Sequence, residues 1–219
     1  MSLFGIANFA LAQPAPPKSP LLQRAPHLAS WTIATSFAET TKKPGQNEDQ
    51  PFKPDPGFPK NVVVTKSNKT YHEQTTFFSG LAEDKWIFDG AQLRSVPPTN
   101  VVVYVPEPDP DHPRPDYSDY TKSDFPELSW ISIENYKGIQ NYQGKPCYAF
   151  ESTDSAGYKL TALLSDAQLP VYTTHGIIGR IYIFNAPPTS PLSPPQNFQA
   201  ALDLHRRGMQ ALQRRSNTP

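Results

Sequence analysis

Residues 61–105 read NVVVTKSNKTYHEQTTFFSGLAEDKWIFDGAQLRSVPPTNVVVYV, and this stretch decides the fold class. Short runs at 62–65, 70–78, 85–88, 92–96 and 101–105 are rich in Val, Ile, Thr, Tyr, Phe and Trp. Ser-Asn, Ser-Gly, Asp-Gly and Pro-Pro separate them. Such runs with such breaks are strands joined by hairpins. Asp89-Gly90 is the strongest turn signal, because glycine takes the positive φ that tight primed turns require. Trp86 and Phe88 fall on one face of their strand and Ile87 on the other. Leu93 and Val96 break alternation, which predicts a bulge or a three-residue loop there. Residues 101–105 are apolar throughout and are expected to be covered on both faces.

Working outward, 27–37 place Trp31, Ile33, Thr35 and Phe37 at period two, a first strand. Residues 130–139, 147–151, 158–164, 169–174 and 180–184 supply further strands, with Pro170 near the start of its strand tolerable at an edge. The expectation is one mainly β domain over 27–195. It is an antiparallel, strongly curved sheet or incomplete β-barrel of about ten strands in a single meander. Long loops are expected at 38–60 and 106–127, which hold many of the 26 prolines. Residues 13–26 predict a flexible proline-rich arm. Phe198, Leu202, His205, Met209 and Leu212 recur at steps of four, three, four and three, one stripe of an amphipathic helix over 196–215. That helix packs either on the sheet or on a membrane surface, with packing the favoured reading.

Composition narrows the function classes. With 20 basic and 20 acidic side chains and a dense basic cluster only at the end, no nucleic-acid partner is expected. No apolar run nears about 18 residues, so no transmembrane segment is expected. Cys147 is the single cysteine, which rules out an intrachain disulfide and a multi-cysteine zinc site. It is expected to be a buried small hydrophobe. Residues 3–12 form an apolar run ending Ala10-Leu11-Ala12, the pattern of a secretory signal peptide without its basic start. A truncated signal over 1–12 and a periplasmic or secreted location follow as expectations.

No catalytic, cofactor or metal signature stands out. Asp109, Asp111, His112, Asp116, Asp119 and Asp124 cluster in 106–126, but without the glycine and closing glutamate of a calcium loop. A solvated loop is the expectation there. The five histidines are scattered, and His175 is the least implausible base. There is no G-x-S-x-G elbow and no phosphate loop, so the expectation is a protein that is not an enzyme, with no cofactor.

The KWIFDG hairpin, the YQGKPCYAFES strand and LPVYTTHGIIGRIYIFNAPPTSPLSPPQNFQAAL at 169–202 carry a resemblance. Over 61–202 the order of elements resembles the superfamily of periplasmic lipoprotein carriers and outer-membrane lipoprotein-sorting proteins. That resemblance implies a half-open β-barrel around an apolar cavity that shelters acyl chains. Candidate lining residues are Trp31, Ile33, Trp86, Phe88, Tyr182 and Phe184. The implied partners are lipid or lipoprotein acyl chains. The alternative is a structural or scaffolding module of an envelope complex, docking a protein partner through its proline arms and terminal helix.

Overall fold

The structure is a computed structural model that describes residues 15–37, 53–112, 114 and 117–216. The expected signal segment, and most of the loop expected at 38–60, lie outside these residues.

Eleven strands form one antiparallel sheet: β1 (Leu28–Phe37), β2 (Pro59–Ser67), β3 (Thr70–Phe77), β4 (Ala82–Phe88), β5 (Ala91–Val96), β6 (Val101–Val105), β7 (Tyr136–Tyr142), β8 (Lys145–Thr153), β9 (Lys159–Leu164), β10 (Pro170–His175) and β11 (Ile178–Asn185). A single helix, α1 (Gln196–Ser216), follows. The Asp89-Gly90 turn joins β4 to β5 with both residues at positive φ, 50° and 71°, as a primed hairpin requires.

The strands run in the order β6-β5-β4-β3-β2-β1-β11-β10-β9-β8-β7. The chain therefore makes two meanders, not one, joined where β1 pairs with β11, Trp31 opposite Phe184 and Ile33 opposite Tyr182. The sheet does not close, because β6 and β7 are its two outer strands. That order imposes a crossing. After β6 the chain stands at one border of the sheet, and its next strand lies at the other, about 48 Å away if eleven strands lay flat. The described residues between 106 and 135 make this journey over one face.

The solvated loop expected here describes only the first part of this segment, where residues 109–112 and 114 are exposed, and fails from Tyr120 onward. Tyr120, Asp124, Phe125 and Leu128 within it are buried. Its side chains meet Glu73 on β3, Lys66 on β2, Trp31 on β1 and Tyr182 on β11, and Leu128 joins the cluster of Phe150 and Ala162 from β8 and β9. One short segment touches so many strands only because the sheet bends around it. The face it fills is the inner face.

Three further expectations change. Residues 15–26 are tied down instead of free: Gln168 Nε2 donates to the carbonyls of Lys18 and Pro20 at 2.6 and 2.9 Å, and Arg24 donates to Thr121 O at 2.7 Å. β5 pairs with both neighbours without a register shift, and the irregularities fall at Pro59/Asn61, Pro170/Tyr172 and Tyr136/Gly138. Two of these sites carry prolines that lack a ladder donor. Pro170 thus sits at a bulge in β10, an interior strand, and not at the sheet border.

Among the described residues the outer face is covered by a helix on one side only. There α1 packs Phe198 and Leu202 onto Trp86, Phe88, Ala91 and Leu93 of β4 and β5. Among the described residues no helix is long and apolar enough to cross a membrane.

Candidate functional site

The six candidate lining residues do not share a surface. Trp31, Ile33, Tyr182 and Phe184 face inward, while Trp86 and Phe88 face outward beneath α1. Alternation along each strand explains the division, since Ile87 between Trp86 and Phe88 joins the inner cluster.

The inner four lie under the crossing segment. Trp31 is fully buried, its ring 5.4 Å from Phe125 and 6.2 Å from Phe184. Tyr182 meets Phe125 edge-on at 6.1 Å and donates its hydroxyl proton to Glu127. Ile33 is half-buried against the same cluster, and Phe184 borders it, 6.3 Å from Phe125. Phe125 thus stands where an inner ligand would have to lie.

Charges fasten the segment. Asp124 accepts from Lys66 Nζ at 2.8 Å, from the Ala25 amide at 2.8 Å and from the Tyr71 hydroxyl at 2.6 Å. Glu73 accepts from Lys85 at 2.8 Å, from Tyr120 at 2.7 Å and from Ser118 at 3.3 Å. Burial, reinforced by the neighbouring carboxylates, pushes the Tyr71, Tyr120 and Tyr182 hydroxyls well above the usual phenol range. Burial also raises the Glu127 carboxyl. Buried ion pairs seldom add net stability over apolar packing, but breaking one is costly. They fix where the segment sits.

The acidic residues of 106–126 are dispersed. Asp109 pairs with His112, Asp119 with Lys122, and Asp124 with Lys66. Among the described residues no group of three or more metal-ligating side chains converges. His175 Nε2 lies 2.7 Å from Asp154 Oδ2, a pairing the sequence reading missed.

A hollow among the described residues lies elsewhere. On the outer face of β7–β11, away from α1, a cleft of about 620 Å³ opens between Tyr142, Lys145, Cys147, Asp166, Val171, Ile181 and Ile183. Cys147 of the lining belongs to a buried cluster with Ala149 and Leu163, against which Tyr142, Val171 and Tyr172 pack. Tyr142 of the lining stacks on Tyr172 at 5.2 Å. Cys147 is 4% exposed, and burial raises its thiol pKa, so it serves as an apolar surface and not as a ready nucleophile. Sequence carried one signal of this cleft. The run Arg180-Ile-Tyr-Ile-Phe184 is apolar on both faces, although its strand's inner side already has Phe125 to cover it.

No known protein-family model matches this chain, and no curated protein matches it.

Proposed function

We propose that this protein is a non-enzymatic binder of one apolar chain with an anionic head, of the fatty-acyl kind, seated in the outer cleft of β7–β11. The observation that carries this reading is the cleft itself: about 620 Å³ with Val171, Ile181 and Ile183 in its wall and Lys145 at its rim. Small-molecule sites commonly measure about 300–1,000 Å³ and are mostly apolar with a few placed polar groups. Ile183 is 51% exposed, and covering it and its neighbours with methylenes gains about 25 cal/mol per Å² removed from water. Lys145 supplies the cation for a carboxylate or phosphate head.

Lipoprotein acyl chains as the ligand, kinship with the lipoprotein carriers and an envelope location, periplasmic or secreted, belong to the same proposal. They rest on the motifs of 169–202 and on the apolar run at 3–12. The inner-face route would require Phe125 and its charged moorings to leave, whereas among the described residues the outer cleft is open.

The test is a titration of the purified protein with a fluorescent fatty acid. Saturable uptake is expected, weakened tenfold or more by Ile183→Asp and severalfold by Lys145→Glu. No uptake by the native chain, or uptake indifferent to both substitutions, would reject the reading.

A further inference from the structure

The two borders of the open sheet are built differently. β7 carries Lys137 and a register shift between Tyr136 and Gly138, two devices that stop a further strand from adding to a border. β6 reads Val-Val-Val-Tyr-Val over 101–105, with no charge, no proline and no bulge in its pairing with β5. Among the described residues no strand pairs with its other side. The chain that leaves β6 turns away from that side, because Glu107 and Pro108 line a hollow with Ile87, Ala91 and Gln92 of β4 and β5. Cover on both faces, expected from the apolar run, fails at Val101, which is 57% exposed.

The helix lies along the same border. Gln199, Asp203 and Arg206 line a hollow with Thr70, Phe88 and Asp89, so that side of α1 looks toward β3 and β4. At 3.6 residues per turn, Ala201, Leu204 and Gly208 fall on the opposite side, toward β6. Ala201 joins Val102 and Tyr104 at the rim of the outer cluster, and Leu204, about one turn on, is 66% exposed.

An open row of amide and carbonyl groups between valines is a template for one more antiparallel strand. β6 is itself such a strand, because it offers valine or tyrosine at every position in either direction. About a two-fold axis through Val103, Val101 meets Val105 of the second copy and Val102 meets Tyr104. The same register sets Pro106 against Asn100 and Glu107 against Thr99, so no like charges meet. A foreign strand would have to supply the same uncharged run, which a second copy always has. We propose that two copies of this chain pair β6 with β6, antiparallel about Val103, with Leu204 of each laid over Val102 of the other. The acyl cleft stays free, since β7–β11 lie in the other half of each sheet.

Sedimentation velocity of the full chain over about 1–200 µM provides the test. A dimer half-formed near about 10 µM is expected for an interface at the small end of the range. Val101→Lys puts a cation on the border at an exposed position, so it should weaken dimerisation at least tenfold while unfolding curves of dilute protein stay put. Cross-linking reads the register. Directly opposed antiparallel residues stand about 4.5–5.5 Å apart at Cα, within disulfide reach, so Val103→Cys should oxidise to a covalent dimer. Val101→Cys should not, because its two copies would stand about 14 Å apart. Cys147, at 4% exposure, gives no background. Ile183→Asp, which addresses the acyl cleft, should leave dimerisation unchanged, so the two proposals fail separately. A native chain that stays monomeric at about 200 µM would overturn the inference, even if β6 captured a foreign strand. So would a dimer indifferent to Val101→Lys, or a dimer that Val103→Cys does not cross-link.

Discussion

At the scale of single residues, two aspartates in one proline-rich stretch have opposite fates. Asp109 is exposed beside His112, while Asp124 is 1% exposed and collects Lys66, Tyr71 and the Ala25 amide. Asp124→Asn would strand Lys66 in the interior, and a loss of about 3–5 kcal/mol is expected in urea unfolding. Asp109→Asn should stay within about 0.5 kcal/mol. Nothing in the spacing of PEPDPDHPRPDYSDYTKSDFP separates the two, because the difference lies in Lys66 and Tyr71, which come from distant strands. Glu127 makes a prediction in pH. Burial holds its carboxyl above the ordinary carboxylate range, so the folded state keeps a proton that the unfolded chain has released. Its contribution to stability is therefore complete below that ordinary range and is lost as pH rises through the folded value. Glu127→Gln should flatten the melting temperature against pH from about 4.5 upward, while the native chain declines over the same interval.

At the scale of elements, α1 separates what periodicity reveals from what it cannot. The 3.6-residue stripe was legible and the helix forms, at Gln196–Ser216. Where its support ends was not legible, since that depends on how far the sheet reaches beyond Tyr104. Leu202→Ala, at 3% exposure against Trp86 and Leu93, should cost about 2–5 kcal/mol. Met209→Ala, on the same stripe, should change unfolding by no more than about 0.5 kcal/mol. Equal losses at the two positions would mean that the distal turns are covered in the free protein. The strands read in a similar way. Trp31, Ile33 and the 61–105 hairpins were plain in the pattern, and the β-rich class followed. Pro170, tolerable at an edge, is accommodated instead by a bulge in an interior strand.

At the scale of the whole molecule, strand order governs everything else. A single meander would leave 106–135 free at one end, whereas pairing β1 with β11 places β6 and β7 at opposite borders and sends the link across the inner face. Local pattern contains no information on which distant strands pair, so the sequence showed the strands and hid the crossing. Phe125 is the centre of that crossing, in contact with Trp31, Tyr182 and Phe184. Phe125→Ala should cost about 3–5 kcal/mol by calorimetry or urea unfolding. Because the inner face is filled by the chain itself, the proposed acyl ligand is placed in the outer cleft. The most direct test is paramagnetic broadening of amide resonances by a fatty acid spin-labelled along its chain. The amides of Tyr142, Cys147, Val171, Ile181 and Ile183 should broaden, with Lys145 nearest the head. Broadening centred instead on Trp31 and Phe125, or spread evenly over the surface, would contradict the account.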